Sequence, residues 1–462
     1  MMQRNMFGEK LLISKNKWIK DYFFGRQITV MGLGLLGRGL NDIKFLAAAG
    51  ARLTVTDLKS ADELRTSLKQ LRKWPVIKYV LGGHRPEDFC GRDFILRAAN
   101  VPLNSPFISR ARECGVPVKM DESWFAELMP AGVKIIGVTG TRGKTTTSHL
   151  IYEILRASRT RVFLAGNITG LATLPLLARV RAGDWVVLEL SSWQLQGFGE
   201  ARISPHIAVF TNFLPDHLNY YGGDLDKYFA DKAHIFEYQK VGDQLVCSDQ
   251  VANKIKLESG QKHVVADNYL PASWRLKILG AHNRANAGLA VKVGELVGAK
   301  RSVIKRAIEN FAGVPDRLEF VGTRQGVKYY NDTTATTPEA VHVALQTLAS
   351  RRRLILIFGG ADKQLDLSSL FIDLPCFCRQ LILLPGTGTD RLKKEWVGDR
   401  QLLDEAALAT DMKKAVAAAR AAAKSGDTVL LSPGFASFGL FKNEFDRGRQ
   451  FRHAVENLSP KR

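Results

Sequence analysis

The segment Thr139–Thr146 carries the strongest chemical motif in the sequence, because it joins glycines to a lysine and threonines at the start of a predicted helix. It follows the apolar strand Ile135–Val138. In such a loop the backbone N–H groups surround phosphates, Lys144 reaches the β- and γ-phosphate oxygens, and Thr145 can ligate Mg²⁺. The candidate phosphate-binding residues are Gly140, Thr141, Gly143, Lys144, Thr145 and Thr146. The strict pattern has glycine where Val138 stands, so the sequence predicts a subclass of ATPase.

A second glycine-rich turn, near the start of the chain, has the spacing of a dinucleotide-type fingerprint. Gly32, Gly34 and Gly37 lie between the strand Ile28–Met31 and a predicted helix, and Asp57 closes the next strand. Glycines there let the backbone approach a diphosphate on a helix N-terminus, and the acid meets a ribose or a base. NAD, another nucleotide diphosphate such as a UDP-sugar, and a tight turn without a ligand all remain open.

Polar side chains follow the predicted strand Trp185–Leu188, where Glu189, Ser191 and Gln194 stand close together. Open parallel sheets bind ligands at the carboxyl ends of their strands. Glu189 is therefore a candidate second Mg²⁺ ligand.

Asp216 and His217 come shortly after another apolar strand, Ile207–Phe210. They are candidates for metal or phosphate contacts, with a hydrogen-bonded structural histidine as the alternative for His217. Lys232 lies on a predicted helix, and its own pattern predicts a solvent-facing side chain.

The elements that must position these residues alternate between short β-branched runs and helical-period segments, which predicts parallel α/β sheets. Pro and Gly at Met129–Gly132 and at Phe311–Pro315 mark two boundaries, the second after a helical stretch from about Asn286 to Asn310. We therefore predict three domains, at about 1–130, 131–312 and 313–462.

The composition is that of a globular chain with a large positive charge. Of 462 residues 45% are apolar, and 66 Lys and Arg against 45 Asp and Glu give a net charge of +21. That charge fits a nucleic-acid partner, an anionic membrane surface or a polyanionic substrate. The cations are scattered rather than gathered into an arm, which favours a solvated basic surface.

Cysteine usage and hydropathy indicate the cytoplasm. Five cysteines, an odd number spread over the chain, predict no disulfide framework, and Cys376 and Cys378 are expected to be buried thiols. No run approaches the roughly 18–20 apolar residues of a membrane span. The apolar runs of the basic residues 1–26 are too short for a signal peptide.

Over nearly the whole chain these motifs resemble the Mur ligases of peptidoglycan synthesis, and only residues 1–26 lie outside the resemblance. The segments that carry it are Gly32–Gly37, Thr139–Thr146, Gly166–Ile168, Leu188–Gln194, Asn212–Leu218, His282–Asn286, Asp316–Arg317, Asn331–Asp332, Gly359–Lys363 and Ser432–Gly448. The resemblance implies a Rossmann-like N-terminal domain, a P-loop ATPase-like central domain and a Rossmann-like C-terminal domain. It also implies an ATP- and Mg²⁺-dependent, ADP-forming ligase that adds glutamate to UDP-N-acetylmuramoyl-L-alanine through an acyl phosphate.

The resemblance assigns a role to each matching residue, and the assigned groups are as follows. The UDP-muramoyl substrate would contact Gly32, Gly34, Gly37, Asp57, Asn167, Ser191 and Gln194. Asn283 and Asn286 would face the adenine, and Arg317 and Asp332 the ribose and phosphates. The magnesium ligands would be Thr145, Glu189, His217 and Lys232, the last as a carbamate. Glutamate would meet Thr336, Lys363, Ser437 and Phe438, and the catalytic residues would be Lys144, His217, Lys232 and Lys363.

Several positions depart from the pattern of the family, and most of them fall near the amino-acid pocket. They are Arg142 in the phosphate loop, Asp316 in place of the usual histidine, Thr334 in place of a lysine, Gly439 where an acid is common, and Glu444. The identity of the added amino acid, and whether D- or L-glutamate is used, therefore stays open.

Other readings explain less of the sequence. A sister ligase could add alanine or extend folate, although the N-terminal fingerprint counts against a folate ligase. A nicotinamide-dependent oxidoreductase would leave Lys144, Glu189 and Asp332 without a role, and a nucleic-acid binder would use the charge of +21 but has no recognisable module. We expect a monomer with small-molecule substrates and no nucleic-acid partner.

Overall fold

The computed structural model describes residues 16–35, 37–168, 170–348 and 352–458, which form two compact units. Unit 1 comprises the chain up to Leu276 together with Ala281–Phe311. Unit 2 comprises Lys277–Gly280 and the chain from Ala312 onwards. Of the basic N-terminal segment, residues 1–15 lie outside the described residues.

The first sheet of unit 1 has five parallel strands in the spatial order β3-β2-β1-β4-β5. The strands are β1 (Gln27–Met31), β2 (Arg52–Asp57), β3 (Ile77–Leu81), β4 (Phe94–Arg97) and β5 (Val118–Lys119). The strand order reverses between β1 and β4, where doubly wound sheets open a crevice at their carboxyl edge. The glycine-rich turn follows β1 and so lies at this crevice.

The second sheet of unit 1 has six parallel strands in the order β11-β10-β9-β6-β8-β7. The strands are β6 (Lys134–Thr139), β7 (Val162–Gly166), β8 (Trp185–Glu189), β9 (Ile207–Phe210), β10 (Gln244–Ser248) and β11 (Gln261–Val265). Because β6 lies between β8 and β9, the phosphate loop, Glu189 and the residues after Phe210 meet at one edge.

The sheet of unit 2 has six strands in the order β12-β13-β17-β14-β15-β16, parallel except for the pair β12 and β13. The strands are β12 (Glu319–Arg324), β13 (Val327–Asn331), β14 (Leu354–Gly359), β15 (Cys378–Leu384), β16 (Ala407–Leu408) and β17 (Thr428–Leu431). Along β14, Ile355 and Ile357 enter one hydrophobic core, and Leu354, Leu356 and Phe358 enter another. Helices supply the other half of each core, as expected for a parallel sheet buried on both faces.

The helices connect these strands. Those of unit 1 are Lys17–Phe23, Arg38–Ala48, Arg65–Leu71, Pro106–Glu113, Asp121–Leu128, Lys144–Ala157, Ser192–Ala201, Leu218–Tyr221, Leu225–Ala233, Asp249–Ala252, Ala281–Leu296 and Arg301–Asn310, with 3₁₀ turns at Pro86–Phe89 and Leu174–Ala178. Those of unit 2 are Pro338–Thr347, Ser368–Phe377, Thr387–Glu395, Arg400–Asp404, Met412–Ala422 and Glu444–Glu456. The predicted helical stretch to Asn310 is in fact two helices, because Gly298 takes a φ of +79° between them.

Two expectations about cysteine are corrected by the fold. Cys90 follows a 3₁₀ turn and Cys114 ends a helix that packs against it, so their Cα atoms lie 5.5 Å apart and the thiols form a disulfide. Cys378 is buried as expected, but Cys376 is exposed because it lies on the outer side of the last turn before β15.

Across the described ranges, no helix is both long enough and apolar enough to cross a membrane.

Candidate active site

The phosphate loop between β6 and the helix Lys144–Ala157 requires glycine at two positions. Gly140 and Gly143 have φ angles of +143° and +84°. A Cβ atom on Gly140 would stand 2.0 Å from Thr211 Oγ1, and one on Gly143 would stand 2.3 Å from Asn286 Oδ1. Both the backbone conformation and the close packing therefore exclude a side chain at these positions.

Residues that follow β9 hold this loop in shape. Thr141 N donates to Asn212 O and Arg142 N donates to Asn212 Oδ1, both at 2.9 Å. Thr211 Oγ1 donates to Arg142 O at 2.5 Å. Protein contacts thus shape the loop, and the first N–H groups of the helix can face phosphates.

Two lysines donate to the same carbonyl of this loop. Lys144 Nζ lies 2.9 Å from Gly140 O and 3.0 Å from Thr141 O, and Lys232 Nζ lies 2.9 Å from Gly140 O. The expectation that Lys232 faces solvent is wrong, because its side chain is 1% exposed and Nζ lies 4.8 Å from the ring centre of Tyr228. Burial, and then Lys144, lower the pKa of Lys232 well below its ordinary value, which favours the neutral amine.

Glu189, at the end of β8, is a buried carboxylate with one unpartnered oxygen. Asn167 Nδ2 donates to Glu189 Oε1 at 3.3 Å, whereas Oε2 has no hydrogen-bond partner among the described residues. A carboxylate oxygen that is buried in this way calls for a ligand. Carboxylate and hydroxyl oxygens suit Mg²⁺, so Glu189 fits the predicted ion together with Thr145, which lies at the start of the phosphate-loop helix.

His217 has a left-handed backbone conformation, with a φ of +53°. Its ring lies 4.9 Å from that of Trp193 and 5.9 Å from that of Tyr228, and Nε2 lies 3.8 Å from Asp216 Oδ2. Burial is the main cause that lowers the pKa of His217, which favours the neutral imidazole that metals bind. In the described part of the chain no three His, Cys, Asp or Glu residues could hold a metal by themselves.

Asn283 and Asn286, predicted to face adenine, lie on the helix Ala281–Leu296. They are 9% and 5% exposed, and Asn286 Nδ2 lies 3.5 Å from Asn283 Oδ1. Because Asn286 packs on Gly143, the pair lies directly beside the phosphate loop.

The glycine-rich turn after β1 is held in shape by Asp57, the acid that the sequence pattern predicts to contact a ligand. Gly32, Gly34 and Gly37 have φ angles of +103°, +64° and +87°. Asp57 Oδ2 accepts from Leu33 N at 2.9 Å and from Gly34 N at 3.1 Å. The Asp57 carboxylate therefore supports the turn itself, a role that the sequence pattern did not indicate.

Ser191 and Gln194 form a capping box at the start of the helix Ser192–Ala201. Ser191 N and Oγ both donate to Gln194 Oε1 at 2.9 Å, and Gln194 Nε2 donates to Glu122. These two predicted substrate residues therefore also bind each other.

In unit 2, residues predicted to bind glutamate come together at the end of β14. Lys363 Nζ donates to Thr336 Oγ1 at 2.8 Å. Ala361 and Ala436 exchange two backbone hydrogen bonds of 3.0 Å, which brings the segment Ser437–Phe438 beside the same loop. The serine of that segment is buried, and the phenylalanine is 71% exposed.

Asp332 of unit 2 is held from two sides. Its Oδ1 accepts from Leu318 N at 3.0 Å and its Oδ2 from Ser432 Oγ at 3.2 Å. Burial raises the pKa of Asp332 to about 6, and the charge of Arg317 opposes this rise. The side chain of Arg317 is exposed and available to an anion.

The departure at Asp316 is explained by an ion pair that no local pattern could reveal. Asp316 Oδ1 accepts from Arg452 NH1 at 2.7 Å and from Asn331 Nδ2 at 2.8 Å. The aspartate and the arginine are 136 positions apart in the chain.

The parallel sheet and the glycine–lysine loop at the end of β6 define a P-loop nucleotide-binding protein of the α/β class. Residues 138–266 match the Mur ligase middle domain, and residues 316–435 match the glutamate ligase domain of Mur ligases. The chain belongs to the Mur ligase family.

Curated relatives and solved structures agree with this family assignment. A UDP-N-acetylmuramoylalanine–D-glutamate ligase of Roseiflexus sp. (strain RS-1) is 37% identical, over 94% of this chain and 99% of its own. One of Borreliella burgdorferi (strain ZS7) is 34% identical, over 93% and 97%. The fold is similar to that of the UDP-N-acetylmuramate–alanine ligase MurC of Thermotoga maritima, with a TM-score of 0.62 at 19% identity over 93% of this chain and 99% of that one. MurF ligase of the same organism, solved with ADP, gives a TM-score of 0.56 at 18% identity, over 94% and 96%. The predicted family and fold class are confirmed.

Proposed function

We propose that this chain joins D-glutamate to UDP-N-acetylmuramoyl-L-alanine with ATP and Mg²⁺, releasing ADP and phosphate in peptidoglycan precursor synthesis. The observation that carries the reaction class is the phosphate loop, with the buried Lys232 donating to its Gly140 carbonyl and an unpartnered buried Oε2 atom of Glu189 on the adjacent strand. The relatives support the substrates, because those 31–37% identical over 93–95% of the chain all have that name.

The reaction begins with transfer of the γ-phosphoryl group of ATP to the carboxylate of the alanyl residue, which gives an acyl phosphate and ADP. The amine of glutamate then attacks the acyl carbon, and the tetrahedral intermediate collapses to an amide and phosphate. Positioning and charge neutralisation supply most of the rate in such transfers. The loop N–H groups and Lys144 bind the phosphate oxygens and stabilise the negative charge that develops on those oxygens.

Magnesium, when bound, would neutralise phosphate charge, and Thr145, Glu189 and His217 are the residues that would hold it. Lys232 would take part as a carbamate, which forms when its neutral amine adds to carbon dioxide and loses a proton. The unmodified Lys232 ammonium next to Lys144 would be unfavourable, and this supports the modification.

The three sheets would divide the substrates among them, along the predicted domains 1–130, 131–312 and 313–462. The glycine-rich turn would bind the UDP diphosphate, and the phosphate loop with Asn283 and Asn286 would bind ATP. In unit 2, Thr336, Lys363 and Ser437–Phe438 would bind glutamate, and Arg317 and Asp332 would bind the nucleotide. We infer a cytoplasmic monomer that acts on small molecules, since UDP-sugars and ATP are cytoplasmic metabolites.

A panel of acceptors and amino acids tests this proposal. Phosphate release and product mass are measured with UDP-N-acetylmuramate or its L-alanyl derivative as acceptor, and with D-glutamate, L-glutamate or L-alanine. We expect a product only from the L-alanyl acceptor with D-glutamate. Turnover without the alanyl residue, or a preference for L-glutamate or alanine, would refute it.

A further inference from the structure

A partly buried polar link leaves the glycine-rich turn of unit 1 and reaches the other sheet of that unit. Arg38 directly follows Gly37 and is the first residue of its helix. Its NH1 donates to Glu122 Oε1 at 3.4 Å and to Gly166 O at 3.3 Å. Glu122, whose side chain is 3% exposed, also accepts a hydrogen bond from Gln194 Nε2.

Both ends of this link lead to residues of the candidate active site. Gln194 Oε1 accepts the two hydrogen bonds from Ser191, so Glu122 orients the whole capping box. Gly166 ends β7 and precedes Asn167, whose N donates to Glu189 O at 2.8 Å. Glu122 and Arg38 therefore contact the two segments beside Glu189, which contain Asn167 and Ser191. Neither Glu122 nor Arg38 binds a ligand in the proposed reaction.

Two buried carboxyl groups, Asp42 and Glu122, lie close together at this link, and a buried ion pair of this kind is weak evidence for a merely stabilising role. Glu122 faces Asp121 on its own helix, and Asp42 and the cation Arg38 from the helix Arg38–Ala48. Burial, and then the charge of Asp121, raise the pKa of Glu122 to about 7, and the pKa of Asp42 is also raised. Buried ion pairs are often no more stable than apolar packing of similar volume, and their best attested use is to specify one geometry.

We propose that Arg38 and Glu122 are positioning residues that hold the segments of Asn167 and Ser191 in register with the glycine-rich turn, and so align the acceptor with the phosphate loop. The inference rests on the proposed function. The acceptor is bound at one end through its diphosphate and reacts at the other through its carboxylate, so the distance between the two sheets decides whether that carboxylate meets the γ-phosphate. An error of alignment lowers kcat more than it raises KM for ATP.

The test compares Glu122→Gln and Arg38→Lys with the wild-type enzyme. The first substitution keeps an oxygen for Gln194 but loses the charge that binds Arg38, whereas the second keeps the positive charge but loses the NH1 group that donates to both Glu122 and Gly166. The control is the pair Lys119 and Glu127, with Nζ 2.7 Å from Oε2, in which the glutamate lies on the same helix as Glu122. Glu127→Gln removes an equivalent charge away from the link.

We expect kcat to fall roughly tenfold in both link variants, with KM for ATP within about twofold of the wild type and with Glu127→Gln unchanged. Glu122→Gln is expected to raise the thermal midpoint, because it removes a buried carboxylate, so its loss of kcat cannot come from unfolding.

The kcat of the wild type should approach that of Glu122→Gln below about pH 6, as Glu122 takes up its proton. The double variant Glu122→Gln/Arg38→Lys should lose no more than the worse single variant.

Product mass is recorded in every assay, so that failure of the positioning role can be told apart from failure of the proposed function. If the wild type makes the expected product and the link variants keep wild-type kcat at all pH values, the positioning role is refuted while the proposed function stands. Additive losses in the double variant would also refute the link. A wild-type enzyme that forms no such product overturns both.

Discussion

Gly37 and Gly143 cap two helices with almost the same backbone angles, φ and ψ of +87° and −13° in one and +84° and −11° in the other. Each ends a glycine-rich turn after a strand at the switch point of its sheet. Their surroundings differ. A Cβ on Gly37 would meet its nearest atom at 3.7 Å, whereas one on Gly143 would stand 2.3 Å from Asn286 Oδ1.

The two turns also differ in what is left for a ligand. Asp57, the acid beside the first turn, accepts hydrogen bonds from that turn, so its charge is used within the protein. The second turn is shaped by Asn212, and Glu189 on the neighbouring strand keeps an unpartnered buried Oε2 atom. Equal backbone geometry therefore does not imply equal function, and the neighbouring strands make the difference.

The largest effect is expected from substitution of Lys232, the buried lysine beside the second turn. Lys232→Ala should reduce kcat by about a hundredfold or more, because the carbamate that would help to hold Mg²⁺ beside the phosphates is lost. If Lys232 acts as a carbamate, acetate or formate should restore part of the activity in phosphate-release assays. A variant with wild-type turnover would contradict the assignment, and failure of every small carboxylate to rescue would count against the carbamate.

A matched pair of alanine substitutions tests the difference in packing. Gly37→Ala should cost about 1–2 kcal/mol of unfolding free energy, which is the strain of a left-handed alanine. Gly143→Ala carries the same strain and also displaces Asn286, so we expect a larger loss of stability and a roughly hundredfold lower ATP turnover. Urea unfolding and steady-state kinetics measure the two effects. Equal losses of stability and turnover at the two positions would show that the packing around Gly37 and Gly143 does not differ in its effect.

A smaller effect is expected when the support of the first turn is weakened. Asp57→Asn keeps one acceptor oxygen but loses the negative charge that binds two backbone N–H groups, at a cost of about 1–3 kcal/mol. KM for the UDP-linked acceptor should rise roughly tenfold with KM for ATP unchanged, because the disturbed turn faces the diphosphate. Varying each substrate in turn checks this, and a rise confined to ATP would contradict it.

The last expected effect is a pH dependence of stability that has opposite signs beside the two turns. Glu122, near the first turn, has a pKa of about 7 in the folded state, above its value in the unfolded chain, so its contribution stabilises the fold at low pH and is lost as pH rises toward 7. His217, near the second turn, has a lowered pKa, so its contribution is present above pH 6.5 and is lost on acidification.

Unfolding free energies at pH 5.5 and pH 8 measure these slopes. Glu122→Gln should be more stable than the wild type by about 1–3 kcal/mol at pH 8, and the gain should shrink at pH 5.5. His217→Asn should lose less stability than the wild type on acidification. A gain from Glu122→Gln that is equal at both pH values would show that the carboxyl does not titrate in this range.

Several features of the fold and site could be predicted because their causes are local. The strands Ile135–Val138 and Trp185–Leu188 were predicted from short apolar runs, and they lie within β6 and β8. Gly140, Gly143 and Lys144 were predicted as a phosphate loop because the required conformation depends on residues only a few positions apart.

Other features could not be predicted, because they depend on residues distant in the chain. Lys232 sits in a helix of ordinary pattern and is buried by the phosphate loop, whose Gly140 is 92 positions away. The contacts of Glu122 with Arg38 and Gln194 span 84 and 72 positions. No periodicity or short motif contains such information.

The parallel α/β class, the two glycine-bearing turns and the acids and cations available to them follow from the amino-acid sequence alone, since propensity, spacing and backbone freedom act over a few residues. How those groups are used depends on the fold: Asp57 supports a turn, Glu189 keeps an unpartnered oxygen, and Lys232 is buried against the phosphate loop. The physical reason is that burial and hydrogen bonding set charge state and geometry, and both arise from neighbours that the fold brings together.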